Sequence, residues 1–291
     1  MPRHALVSML AMVMLAMVMG LVSLPAASQA DDIKSKAPET AFSGKLRPDI
    51  LGISNESTAE AARAIFDSLF KDRTDTRTDI QQQKLGDASY VAALNFSLPA
   101  GSKQNGEMLS TSFSSPASTN RAYFVARNLT FAPDQQPSKA DMIKEVMGKY
   151  GVPTIVGDQH LYYIYRKGSI MSVGGKYKEA TALVAIDKPL DPKAAVKLNG
   201  DTVRGSCVAV VKRAQTKAKD PAAMLTDAKG ANCDGVLSVQ LVPGTPADRV
   251  GIAQFTLLDV KQLLSATAID NAALTTGSTD GSGPKGSAPK L

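Results

Sequence analysis

Apolar positions along this chain follow two periods, and residues 137–166 show both in succession. Ile143, Val146, Met147 and Tyr150 fall at i, i+3, i+4 and i+7, one stripe of an amphipathic helix. Ser138 stands where its side chain can accept an unpaired backbone N–H, and Asp141 puts a carboxylate in the first turn. Gly151 can close the last turn in a left-handed conformation, and Pro153 forbids the helix from resuming. After a short loop, His160–Arg166 is dense in Tyr and Ile, residues that suit a pleated surface. A helix docked by its stripe on a sheet buries both apolar faces.

The same two periods divide the rest. Ser57-Thr58-Ala59-Glu60 reads as a capping box with Ser57 as the cap. It opens a helix with Ala62, Ile65, Phe66, Leu69 and Phe70 on its buried side, running to about Lys71. Arg73–Lys84 is polar and charge-mixed, without an apolar period, and reads as a loop. Residues 89–98, 107–114 and 122–131 alternate, the last with Tyr123, Val125, Leu129 and Phe131 on one side, and predict a three-stranded antiparallel meander.

Farther on, 181–187 and 203–212 read as strands separated by a solvated crossover over 191–199. Asp220-Pro221 opens a helix carrying Met224, Leu225 and Ala228, which Gly230 ends. Residues 235–242 and 251–258 form two strands around Pro243-Gly244-Thr245-Pro246, and Asp259 caps a last helix ending near Leu274. The expected fold class is α+β, antiparallel sheets packed by about four helices. Two small units are expected, 46–167 and 168–274, with a flexible polar leader over 31–45 and a disordered Gly/Ser/Thr/Pro/Lys tail over 275–291.

The first thirty residues differ in kind. Arg3 and His4 precede an apolar run from Ala5 to Leu24, Pro25 breaks it, and Ser28-Gln29-Ala30 offers small residues at signal-peptidase positions. The run is just long enough to span a bilayer as an uncleaved anchor, but the proline and the Ser-Gln-Ala site favour a signal peptide over 1–30. Cleavage there leaves 261 of the 291 residues, with a net charge of +5 in place of +6. No stable membrane anchor is then left, and the protein is expected in the periplasm or secreted. The positive charges are dispersed, without Arg–aromatic interleaving, which argues against a nucleic-acid partner and for solvated surface.

Export gives meaning to the two cysteines, Cys207 and Cys233. An even number in an oxidising compartment favours a disulfide worth about 3.5 kcal/mol in the chain-entropy model, two buried free thiols being the alternative. There is no CxxC and no Cys/His cluster, so neither a redox dithiol nor a zinc site is expected, and no cofactor.

Histidine limits catalysis. Beyond residue 30 only His160 is left, so any Ser-His-Asp or Cys-His arrangement must use it. No serine stands in a G-x-S-x-G elbow, and no G-x-G-x-x-G or Walker-type loop occurs. No catalytic residue and no metal ligand is assigned. Alternation places Tyr163 and Tyr165 on one face with Leu161, and Tyr162 with Ile164 on the other. These tyrosines and His160 are the candidate contact surface, weighed against core or rim packing with wet hydroxyls. Asn55, Asn95 and Asn128 open N-x-S/T sequons, the last two inside predicted strands, and no glycans are expected.

Two stretches resemble known families. Gly52-Ile53-Ser54 leading to Ser57–Ala62, then a meander, and the exit Met147-Gly148-Lys149-Tyr150-Gly151-Val152-Pro153, are similar to SmpA/BamE-like proteins. That resemblance implies an envelope protein that supports outer-membrane assembly or binds partner proteins. The chain lacks the Gly-Met of the family's entry motif and its lipobox cysteine. Residues 235–252, GVLSVQLVPGTPADRVGI, resemble the strand and Pro-Gly segment of PDZ domains, which capture C-terminal peptides by strand addition. A tight Pro-Gly hairpin explains the same letters. The expected function is a non-enzymatic envelope protein, a binding or accessory factor for a protein partner. The alternatives are a PDZ-like peptide module and a hydrolase-like enzyme using His160.

Overall fold

Alternating segments pair edge to edge, and the helical stripes close over them. The computed structural model describes residues 35–44, 47–156, 159–171, 195–198, 201–204, 210–211, 221–231 and 233–277. In chain order the elements are α1 (Ala59–Leu69), β1 (Arg77–Leu85), β2 (Ala88–Leu98), β3 (Gly106–Phe113), β4 (Ala122–Thr130) and α2 (Lys139–Tyr150). There follow β5 (Ile155–Val156), β6 (His160–Arg166), β7 (Ser169–Ile170), β8 (Ala195–Leu198) and β9 (Asp201–Arg204). The last are α3 (Pro221–Gly230), β10 (Gly235–Pro243), β11 (Val250–Asp259) and α4 (Val260–Gly277). The α+β class with antiparallel sheets and four helices is what these residues form.

Nine strands make one sheet in the order β1-β2-β3-β4-β11-β10-β6-β5, with β7 also on β6, while β8 and β9 pair with each other. Every pairing is antiparallel. The segments expected as separate units therefore contribute to one sheet. The β10–β11 hairpin lies between β4 and β6, so that Leu257 stands opposite Val125 and Leu237 opposite both Leu257 and Tyr163. These four side chains belong to a single buried cluster.

Period-2 alternation sends each strand's side chains to two cores. One face carries Leu94, Phe96, Leu109, Val125, Tyr163, Leu237 and Val239 against Ala62 and Phe66 of α1 and Val146 of α2. The other carries Phe124, Tyr162, Ile164, Val236 and Leu258 against Met224 and Ala228 of α3 and Leu263 of α4. Burying each large apolar side chain contributes roughly 1.5–3 kcal/mol, so the helices are held mainly by these contacts. Tyr123 falls in the second cluster, not beside Val125, because the β3–β4 register shifts between Ser112 and Phe113 and turns the start of β4 over.

Local chemistry explains the helix ends. At α2, Ser138 Oγ accepts the Asp141 N–H at 3.0 Å, and Gly151 ends the helix at φ 82°. At α1 the cap is Thr58, whose Oγ1 accepts the Ala61 N–H at 3.2 Å. Ser57 is not the cap: its hydroxyl accepts the Ser54 N–H at 3.1 Å and secures the preceding turn. Asp259 accepts the Gln262 N–H at 2.8 Å and opens α4, as its position predicts.

Several expectations are corrected. Residues 77–84 of the expected loop belong to strand β1, whose first four residues are exposed, so neither face carries an apolar period. Residues 35–44 of the expected flexible leader lie docked on the body, with Ala41 and Phe42 buried at 5% and 0% exposure. Ala195–Leu198, expected in a crossover, pairs with β9, and Val210–Val211, expected as strand, is helical. Thr275–Gly277 extends α4 instead of starting the tail. The signal segment, the 181–187 strand, Cys207 and the remainder of the tail lie outside the described residues.

Candidate contact surface

Strand β6 is paired on one side with β10 and on the other with β5 and β7, and its side chains from Leu161 to Tyr165 are buried in the two cores. Tyr162, Tyr163 and Tyr165 are 4%, 0% and 3% exposed. The division of faces read from the alternation holds, but both faces are covered, and a solvent-facing tyrosine platform is ruled out. Tyr163 Oη donates to the Gly151 carbonyl at 3.0 Å, and its ring leans on Tyr150 at 5.8 Å. Tyr165 meets the Phe42 ring edge-on at 4.8 Å. The Tyr162 hydroxyl oxygen is buried without a hydrogen-bond partner among the described residues. Burial pushes all three phenols well above their ordinary range, so none is poised to titrate.

His160 alone of the four reaches partly into solvent, its ring stacked on Tyr162 at 5.5 Å and 7°. Its cross-strand neighbour is Gln240, neither a carboxylate nor a nucleophile. What the register does assemble around His160 is a polar row across the sheet. Ser97, Met108, Asn128, Gln254, Gln240 and His160 stand directly opposite one another on β2, β3, β4, β11, β10 and β6. Met108 is 57% exposed and the other five are half-buried. Four residues along β4, β11, β10 and β6 the same face passes through Phe124, Leu258, Val236 and Ile164, under α3 and α4. Single-strand alternation hides this row, because it appears only once five registers are fixed.

The row ends at β2, beyond which lies only β1. β1 is paired to β2 over its whole length, and its other edge has no partner among the described residues. Thr78, Asp79, Ile80, Gln82, Gln83 and Lys84 are exposed. A register shift between Gln81 and Gln82, with Ala92 of β2 as the extra residue, bulges the β1–β2 pair at the middle of this edge. An open depression of about 660 Å³ lies at the end of β1–β4, lined by Asp75, Arg77, Ser97, Met108, Asn128 and Thr130 among others. Both of its carboxylates are engaged: Glu107 accepts from Arg127 Nε at 2.6 Å, and hydrogen bonds from Arg73, first, and Gln104 hold Asp75 down at about 2.

Asp259, at the β11–α4 junction, is fully buried. Thr40 Oγ1 donates to it, the Ala41 N–H donates to both oxygens at 3.1 and 3.2 Å, and Asn55 Nδ2 donates at 3.3 Å, beside the cap bond from Gln262. No cation is among these partners. Burial pushes the carboxyl up to about 6 against the downward pull of the donors.

The segment resembling a PDZ strand can be judged on topology. β10 is hydrogen-bonded to β11 and to β6, which leaves no edge for a peptide at Val236–Val242. The Pro-Gly letters form the hairpin turn, closed by the Gly244 N–H donating to the Arg249 carbonyl at 2.8 Å.

Fold and surface together define a helix-covered antiparallel sheet with a wet polar strip and, among the described residues, a long unpaired edge on β1. No protein-family model, curated protein or solved structure matches the chain.

Proposed function

We propose that this protein is an exported, non-enzymatic binding or accessory factor of the cell envelope that takes an extended segment of a partner polypeptide onto the free edge of β1. The observation that carries the reading is the edge itself. A nine-residue strand with one unpaired side presents a row of N–H and C=O groups ready to pair with another chain. The bulge at Gln81/Gln82 divides that edge, so the added strand engages Arg77–Gln81 as its main segment. Apart from the exposed Ile80, side chains there are polar and of both signs, which suits a mainly polar partner strand. The polar row lies next to this edge and extends the same surface.

The N-terminal segment with its Ser-Gln-Ala site supports export, and the similarity to SmpA/BamE-like proteins supports a role beside partner proteins. In an oxidising compartment Cys233, buried next to Met224 and Ala228, pairs with Cys207. Intact mass under non-reducing conditions, before and after alkylation, tests that pairing: uptake of alkylating reagent by the unfolded, unreduced chain would refute it.

Site-specific photocrosslinking in cells tests the edge. A crosslinking side chain at Gln81 is expected to capture one polypeptide, with the same position silent when Asp79→Pro and Gln83→Pro variants block the edge. Equal capture from Lys144, on the exposed side of α2, would overturn the reading.

A further inference from the structure

Along β1 the charged groups divide into those already engaged and one that is not. Asp79 Oδ2 accepts from Gln81 Nε2 and from Asn95 Nδ2, each at 3.3 Å. In the depression beside the start of the strand, Arg73 and Gln104 hold Asp75, and Arg127 holds Glu107. The remaining charged residue of its lining is Arg77, which is exposed and whose guanidinium has no ion pair or hydrogen bond among the described residues. That corner of the sheet therefore carries an uncompensated positive charge with its planar fork of donors free.

Register gives each edge residue a face. Arg77 stands opposite Ser97, in line with Met108 and Asn128, and so extends the wet polar row to the edge. Ile80 stands opposite Leu94 on the other face, at the end of a row that runs through Val125, Leu257, Leu237 and Tyr163. Those five are buried in one cluster, whereas Ile80 is 43% exposed, so this core reaches the edge and stops there uncovered. A strand laid against β1 puts one side chain directly opposite each of these residues and on the same face, with Cβ atoms about 5 Å apart. An apolar side chain opposite Ile80 extends the core by one strand, and a carboxylate opposite Arg77 meets the free guanidinium. Asp79, two residues along the polar face, fixes the register, because a slip of that length brings the incoming carboxylate against a like charge.

We propose that the segment taken by the β1 edge is an acidic strand, with an apolar residue facing Ile80 and, three residues later in its own chain, an Asp or Glu side chain facing Arg77. The order follows from antiparallel addition, the sense of every pairing in the sheet. The proposal rests on the strand-addition reading above and supplies its specificity. A side-chain carboxylate fits better than a free C-terminus, which lies in the line of the backbone and not on the face from which Arg77 extends.

Amide shifts of the isotope-labelled full chain, titrated with blocked synthetic peptides, test this. The first peptide is acetyl-Thr-Thr-Val-Thr-Thr-Glu-Thr-amide, and in two others Gln or Lys replaces the Glu. The expected result is a common set of shifts at Arg77–Gln81, with the Glu peptide binding roughly threefold more tightly than the Gln peptide and the Lys peptide weakest of all. Arg77→Gln is expected to erase the difference between the Glu and Gln peptides while the shifts persist, and Arg77→Glu to invert the order of the Glu and Lys peptides. Equal affinity of the unaltered protein for all three peptides would overturn the acidic preference and leave strand addition standing. Absence of any shift along the edge would overturn strand addition itself, and the proposal with it. Broadening of the same amides as the protein alone is concentrated would overturn the proposal by placing a second copy of the chain on the edge.

Discussion

Gly235 and Phe42 are matched in shape: a Cβ on residue 235 would lie 2.6 Å from the Phe42 ring and 3.0 Å from the Ala41 Cβ. No side chain fits there while residues 35–44 are docked. Gly235→Ala is expected to destabilise the protein by about 1–3 kcal/mol and to raise trypsin cleavage after Lys36, because overpacking displaces the ring. Combined with Phe42→Ala it should cost clearly less than the two changes added, a coupling that urea denaturation of the four proteins measures.

Adjacent tyrosines in β6 should respond oppositely to loss of their hydroxyls. Tyr162→Phe removes a buried oxygen that has no partner and should leave stability unchanged or raised. Tyr163→Phe removes the bond to the Gly151 carbonyl and should cost about 1 kcal/mol. Thermal unfolding of the two variants side by side decides it, and a larger loss for Tyr162→Phe would contradict the packing described.

The start of α1 distinguishes two neighbouring hydroxyls. Thr58→Ala is expected to cost about 1 kcal/mol as a lost helix cap. Ser57→Ala should cost less, since its hydroxyl serves only the turn at Ser54. Equilibrium unfolding midpoints in urea rank the pair.

Asp259 makes global stability depend on pH. Its folded pKa lies above its unfolded value, so its contribution is fully present below the unfolded pKa of 3.8 and is lost as pH rises through about 6. The span amounts to about 3 kcal/mol. The difference in unfolding free energy between the unaltered protein and Asp259→Asn, followed from about pH 4 to about pH 8, should move in favour of the asparagine variant as pH rises.

Much of this fold is legible where burial is one-sided. Ser138, Gly151 and the stripe of α2, the alternation of β2, and Asp259 as a cap all follow from local rules, because each satisfies a local hydrogen bond or a single apolar face. β1 escapes those rules: as an edge strand wet on both faces it leaves no period to find. Residues 35–44 escape for another reason. Only Ala41 and Phe42 are buried in a mostly polar run, and their anchor includes a carboxylate more than two hundred residues away. The tyrosines of β6 show the limit most directly. Alternation sorted them onto the right faces, but how many helices cover each face is a property of the whole sheet.

The order of strands carries a consequence in time. A chain emerging from its N-terminus completes β1 to β4 early and β6 soon after, yet these two pieces share no border in the sheet. The hairpin between them arrives only when residues 235–259 do. Until then the long-range pairings that close the sheet have no partner strands, so the sheet closes late. A chain cut short before residue 235 is therefore expected to yield two disconnected halves, not a smaller version of the same molecule.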